Sequence, residues 1–323
     1  MNHSTAHQAS VSPPPQLLVV GTGAVGGYYG AQLAKAGATV STVHRSDYAV
    51  IRERGIQIDG LQGSSLFRPA HVLQQVEIQE QAPDYILVAL KVLEEIDTAS
   101  IIRPAVGKKT VILLLQNGIE TEQRIADAFP DNEILSGLAF VCLSRTAPGR
   151  IAHSCYGHLA IGRYPRGESQ AAHQLAALFE QSGTACVVSD DIGLERWKKL
   201  VWNAAFNPLS VLSRATTAEI LANPAASHLV EQVMREVCRI AEAAGYRLPD
   251  GIVEKNLAAT RKMKPYKTSM LLDYLSGRSM EVEAILGNVV RAADRCGIAA
   301  PHLQSLYGAL SLLARPASTA ENQ

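Results

Sequence analysis

Gln16-Leu17-Leu18-Val19-Val20-Gly21-Thr22-Gly23-Ala24-Val25-Gly26-Gly27 is the stretch whose reading decides the fold. Its first five residues form a short apolar run ending at a glycine, which suits a strand buried in a parallel sheet. A helical stretch follows through Ala36, with Gly37 as its C-terminal cap. Thr39 to Val43 then reads as a second strand. Strand, G-x-G-x-x-G, helix and strand in this spacing predict a dinucleotide-binding, Rossmann-type sheet. Each glycine has its own task. Gly21 permits the tight turn, Gly23 lets the backbone approach a pyrophosphate, and Gly26 lets helix pack on strand. Thr22, Ala24 and Val25 complete the loop, whose helix N-terminal amides would face the phosphates. The plain alternative is a tight structural turn.

The second strand ends at His44-Arg45-Ser46, where an NAD site usually carries an acid for the ribose hydroxyl. Arg45 can instead form a fork with a 2′-phosphate, so the expected cofactor is NADPH/NADP rather than NAD. Two further apolar runs, Tyr85 to Leu90 and Val111 to Leu115, end at Lys91 and at Gln116-Asn117-Gly118. Ligands of parallel sheets bind beyond such strand ends. Lys91 is therefore placed over the cofactor and Asn117 at its nicotinamide end, although Asn-Gly is also a strong turn former. From Ser136 to Gly162 short β-like runs around Pro148-Gly149 read as antiparallel strands extending the sheet. Ser169 to Ser182 reads as a helix and Ala185 to Val188 as a last strand, so the cofactor domain is expected to cover residues 16–190.

Strand signals then cease. Helices are predicted over Ser227 to Ala244, from near Asp250, over Thr268 to Ser276, Glu281 to Cys296 and Pro301 to Leu313. The second half, 191–315, is expected to be an all-α domain. It opens with Glu195-Arg196-Trp197-Lys198-Lys199-Leu200-Val201-Trp202-Asn203-Ala204-Ala205-Phe206-Asn207-Pro208-Leu209. At about 100° per residue, Lys199, Asn203 and Asn207 share one narrow stripe on an otherwise apolar helix. A buried helix carries such polar groups at a cost of a few kcal/mol unless something satisfies them. The stripe is therefore read as facing a polar ligand, the alternative being an exposed Lys and Asn strip. Lys198 lies about 100° away and points elsewhere. Lys267-Thr268-Ser269-Met270 opens a helix where hydroxyls and free amides can hold a carboxylate or merely cap. Glu281 also opens a helix, where an acid usually offsets the helix dipole.

Length and composition agree with two soluble domains. The chain has 323 residues, 47% hydrophobic and 19% charged, with 30 basic residues balancing 30 acidic ones. Bulk charge draws it to neither nucleic acid nor an anionic membrane. Cys142, Cys155, Cys186, Cys238 and Cys296 are scattered and odd in number, so they read as reduced thiols with no metal site. No apolar run reaches membrane-spanning length. Residues 1–15 lack the pattern of a signal peptide and read as a disordered tail, as do 316–323, which makes the cytoplasm the default location. A homodimer is left open.

Taken together, from about Gln16 to Leu313, these pieces resemble the ketopantoate reductase (2-dehydropantoate 2-reductase) family. The resemblance is carried by G-x-G-A-V-G at Gly21 to Gly26, Arg45, Lys91 and Asn117-Gly118. W-x-K-L-x-x-N-x-x-x-N-P-L from Trp197 to Leu209, Ser269-Met270 with Asp273, and Glu281 complete it. It implies NADPH-dependent reduction of ketopantoate to pantoate in pantothenate and coenzyme A biosynthesis. Lys199 would be the general acid, Asn203 and Asn207 would bind substrate oxygens, Ser269 the substrate carboxylate, and Glu281 hydroxyls of cofactor or substrate beside Lys199. Burial should lower the Lys199 pKa and a nearby Glu281 should raise it, leaving the net direction open. Met280-Glu281-Val282-Glu283 departs from the Thr-Glu-Ile-Asp of many relatives, which leaves other branched or aromatic 2-oxo acids as alternative substrates. A silent NADPH sensor is the alternative of a different class, and it leaves the lysine-amide stripe without a reason.

Overall fold

The computed structural model describes residues 13–61, 63–78 and 80–314. The tails expected over 1–15 and 316–323 lie outside these, apart from residues 13–15, which carry no regular structure.

The chain opens with β1 (Gln16–Val20), α1 (Ala24–Lys35), β2 (Thr39–Val43), α2 (Tyr48–Arg54), β3 (Ile56–Gly60), β4 (Gly63–Phe67) and β5 (His71–Leu73). β6 (Tyr85–Val88), α3 (Thr98–Ile102), β7 (Val111–Leu114), α4 (Gln123–Ala128), β8 (Ile134–Ala147), β9 (Arg150–Arg163), α5 (Gln170–Gln181) and β10 (Cys186–Val188) follow. The strands make one sheet in the order β4-β3-β9-β8-β7-β6-β1-β2-β5, with β10 beside β9. From β5 through β2, β1, β6 and β7 to β8 every pairing is parallel, as the sequence predicts for a doubly wound dinucleotide fold. β1 shows why its run from Leu17 to Val20 is apolar. Leu17 and Val19 pack into the core on one face with Leu33 and Phe179, and Leu18 and Val20 into the core on the other with Ile86 and Ile112.

The long β8–β9 hairpin replaces the short runs expected between Ser136 and Gly162. β9 runs antiparallel to β8 and parallel to β3, an alliance between residues far apart in sequence. The hairpin also corrects the thiol expectation. Cys142 and Cys155 face one another in register and form a disulfide, their Cα atoms 5.0 Å apart. Cys186, Cys238 and Cys296 are free.

After β10 the chain is helical: α6 (Ile192–Ser213), α7 (Thr217–Ala222), α8 (Pro224–Ala243), α9 (Ile252–Lys262), α10 (Ser269–Leu275), α11 (Asn288–Cys296) and α12 (Pro301–Ala314). A π-turn over Glu283–Gly287 leads into α11, where the sequence predicts unbroken helix from Glu281. α6 is the axis of this half. Asp191 caps it by accepting from the Leu194 N–H. Trp197, Leu200, Val201, Ala204, Ala205 and Phe206 anchor a core shared with α8, α10 and α12. Truncating Trp197 or Phe206 to alanine there would cost about 3–5 kcal/mol. Pro208 removes one backbone bond, yet α6 continues past it to Ser213 because packing holds the helix on several sides. Among the described residues no helix is long and apolar enough to cross a membrane.

Candidate active site

Three crossings tie the sheet's C-terminal edge to the helical half, and they build the site. The loop after β7 makes the first. Gly118 has φ +91°, and a Cβ there would lie 2.1 Å from the Ala284 carbonyl oxygen, so only glycine allows this approach. The Asn-Gly pair is thus more than a turn former. The Ile119 N–H donates to Ala284, and Asn288 donates back to the Ile119 carbonyl. Lys91 makes the second crossing. Its ammonium lies 2.7 Å from Asp273 of α10 and donates to the Ser279 carbonyl at 2.8 Å, so it is tied across the cleft.

Glu281 makes the third crossing, and it reaches Lys199 through Asn117. One Glu281 oxygen accepts from the Val92 N–H at 3.1 Å and the other from Asn117 Nδ2 at 3.2 Å. Asn117 Oδ1 accepts from Lys199 Nζ at 3.0 Å, and the Ala139 carbonyl accepts a second bond at 2.9 Å. Asn117 and Glu281, which the sequence assigns to the cofactor, are therefore joined to the lysine in one chain of hydrogen bonds. Glu281 lies just ahead of the helical turn, and its carboxylate bonds to the sheet domain instead of offsetting a dipole. Burial raises its pKa.

Lys199 stands among Gly118, Leu138, Arg196, Leu200 and Asn203, which enclose its side chain in a narrow space. Burial lowers its pKa to about 8. The Arg196 guanidinium pushes the same way and Glu281 opposes both. The direction that the sequence leaves open is thus downward. Asn203 shares the space with Lys199, while Asn207 lies one turn further along α6, 2% exposed, its Oδ1 without a partner among the described residues. Lys198 faces away and pairs with Glu195 at 2.8 Å.

Arg196 escapes the sequence reading, although it lies three residues before Lys199 on the same side of the helix. It is 3% exposed and forms an ion pair with Glu122, which is 2% exposed. Its guanidinium also donates to the carbonyls of Gln116 and Gly118, each at 2.9 Å, and to Ser136 Oγ. The pair thus fixes the loop that carries Asn117. Ser269 is exposed at the first position of α10, and Thr268, not Ser269, caps the helix by accepting from the Leu271 N–H. The Ser269 hydroxyl has no hydrogen bond among the described residues.

The glycine loop fits a dinucleotide. A Cβ at Gly21 would meet the backbone of Leu90 and Ala89 at 2.5–2.9 Å, and one at Gly26 would lie 2.5 Å from the Gly21 oxygen. At Gly23 nothing lies within 4 Å, so the outer side is open. No side chain caps α1 and no acid occupies its first turn, which leaves its amides to an anion. A small hollow beside Thr22 and Gly23 is lined in part by Asp47 and Arg145. Arg45 is exposed at the end of β2 with no ion pair among the described residues. Neighbouring His44 is buried and pushed down to about 4, hence neutral. Asp47, the nearest acid, is turned inward to Arg145 at 3.3 Å and to the Gly149 N–H at 3.2 Å.

Comparison with known proteins identifies the family and the fold. Residues 17–166 match the family described as Ketopantoate reductase PanE/ApbA, and 191–314 match Ketopantoate reductase PanE/ApbA C terminal. A 2-dehydropantoate 2-reductase of Nostoc sp. is 37% identical over 300 residues, 91% of this chain and 94% of its own. The crystal structure of 2-dehydropantoate 2-reductase from Methylococcus capsulatus is 49% identical with a TM-score of 0.86, covering 92% of this chain and 96% of that one. A D-mandelate dehydrogenase solved with NADH and anilino(oxo)acetate, 23% identical with a TM-score of 0.84, shares the fold over 92% of this chain and 98% of its own.

Proposed function

The chain belongs to the ketopantoate reductase family of oxidoreductases, and from that premise we propose that it reduces the C2 carbonyl of ketopantoate to the alcohol of pantoate. The cofactor in this reading is NADPH, which when bound supplies the hydride. The product would feed pantothenate and coenzyme A synthesis.

The observation that carries the proposal is the half-buried Lys199 ammonium, held by Asn117 and the Ala139 carbonyl, its pKa lowered by desolvation to about 8. A carbonyl that gains a hydride becomes an alkoxide, and an ammonium beside it stabilises that charge and donates its proton. A pKa near 8 keeps Lys199 mostly protonated at neutral pH and makes it a stronger acid than a free lysine. Asn117 fixes the direction of the ammonium, and Glu281 fixes Asn117. Asn203 stands in the same space to bind a substrate oxygen, and Asn207 continues that stripe. Ser269 is assigned the carboxylate. Gly21 to Gly26 and the first turn of α1 would hold the pyrophosphate, and Arg45 the 2′-phosphate.

The test is loss of NADPH absorbance on adding ketopantoate, run beside NADH and beside a panel of 2-oxo acids. Ketopantoate with NADPH is expected to give the highest kcat/KM. No oxidation of either cofactor with any 2-oxo acid would overturn the reading.

A further inference from the structure

The β8–β9 hairpin carries a feature that the sheet does not need. Along the face of these strands that meets α6, Leu138 pairs across the ladder with Ala160, and both are buried against Ile192 of α6. Side chains two residues apart on a strand share a face. The next pair on this face, Phe140 opposite His158, therefore continues the same wall outward, Phe140 packed against that cluster and His158 reaching solvent. The two rings are stacked, their centroids 4.8 Å apart and their planes 9° from parallel. Lys199 Nζ lies 5.5 Å from the Phe140 centroid and bonds to the carbonyl of the preceding residue, Ala139. His158 is exposed, and its ring nitrogens have no hydrogen bond among the described residues. The wall thus begins inside the lysine's space, where Leu138 lines it, and ends at solvent.

We propose that Phe140 and His158 are specificity-determining residues, forming the wall against which the side chain of the 2-oxo acid packs and favouring a bulky branched or aromatic substituent over methyl. The inference rests on the reductase reading above. The reacting carbonyl must lie against the Lys199 ammonium, so the substituent on that carbonyl falls within reach of the surfaces flanking it. Gly118 and Asn203 offer a small backbone site and a polar group, whereas Phe140 and His158 offer extended apolar area. A methyl group covers little of that area and a branched group covers much more. Filling an apolar pocket discriminates by about tenfold or more for each group or two that fits.

The experiment measures kcat/KM with NADPH for ketopantoate, phenylglyoxylate and pyruvate in the wild-type protein, Phe140→Ala, Phe140→Leu and His158→Ala, with NADPH affinity followed by fluorescence. Wild type is expected to favour both bulky acids over pyruvate. Phe140→Ala should lower the bulky-to-pyruvate ratio about tenfold, His158→Ala should lower it less, and Phe140→Leu should restore most of it. NADPH affinity should be unchanged within about twofold. Equal loss for all three acids would mean that the stack merely positions Lys199, and weaker NADPH binding would assign the wall to the cofactor. Either result overturns the proposal while leaving the reductase reading in place. A wild-type protein that reduces none of the three acids removes the reading and the proposal together.

Discussion

Glu281→Gln tests how the site holds Lys199 ready. The Glu281 carboxylate accepts from two donors, the Val92 N–H at 3.1 Å and Asn117 Nδ2 at 3.2 Å. A glutamine amide can keep only one of these. With its oxygen on Val92, its NH2 meets the NH2 of Asn117, and Asn117 must turn over to accept. The turned Asn117 then presents its own NH2 to the Lys199 ammonium, which in the wild type donates to the Asn117 oxygen at 3.0 Å. The substitution also removes the negative charge that opposes the lowering of the Lys199 pKa. Both effects act in one direction. A hydrogen bond to a charged group contributes about 1.5–3 kcal/mol, and one pKa unit corresponds to about 1.4 kcal/mol, so the Lys199 pKa should fall by about one to two units. The alkaline limb of kcat/KM, expected near 8 in the wild type, should move down to roughly 6–7 in the variant, because the acting species is the protonated form. The assay is NADPH oxidation across pH 5–10 in constant ionic strength, with roughly equal occupancy of cofactor at each point. A limb that stays near 8, or moves up, would refute the relay through Asn117.

Three further outcomes are expected. Arg45→Ala should weaken NADPH binding by about tenfold or more and leave NADH binding nearly unchanged, because only the 2′-phosphate loses a partner; titration by fluorescence checks it, and equal loss for both cofactors would contradict it. Ser269→Ala should raise KM for the 2-oxo acid about tenfold, the equivalent of roughly 1.4 kcal/mol, without a change in melting temperature, since Thr268 already caps α10. Arg196→Met leaves the Glu122 carboxylate buried without its cation and should lower stability by about 3–5 kcal/mol in urea unfolding. An unfolding midpoint within experimental error of the wild type would contradict that assignment.

The parts of the molecule that local spacing controls are legible in the sequence. Gln16 to Gly26 spells strand, turn and helix within one short stretch, and the Lys199–Asn203 stripe follows from helical periodicity alone. What depends on distant partners is not. Glu122 and Arg196 look like an ordinary loop acid and an ordinary helix arginine, and only the packing of α6 on the sheet turns them into a buried pair. The pairing of Cys142 with Cys155 depends on the register of a hairpin with irregularities on either side of it, which no residue count supplies. β3 joins β9 across the sheet, a partnership that its own five residues do not encode. Ser269 and Thr268 compete for one capping role in the sequence, and the backbone decides for Thr268. The net shift of Lys199 is not legible in the sequence for the same reason. Burial and Glu281 oppose one another, and the weight of Arg196 enters only once α6 is placed.

The most direct test of the central claim is single-turnover oxidation of bound NADPH by ketopantoate in Lys199→Ala and Lys198→Ala, with cofactor affinity measured alongside. The two lysines are neighbours in sequence, but one points into the cleft and the other pairs with Glu195 on the outside. Lys199→Ala is expected to slow the oxidation about a hundredfold or more while NADPH still binds, the scale of a lost general acid. Lys198→Ala is expected to remain close to wild type, as partly exposed, solvent-screened ion pairs contribute little. A mild Lys199→Ala beside an inactive Lys198→Ala would contradict the placement of α6 in the cleft and the proton-donor role assigned to it.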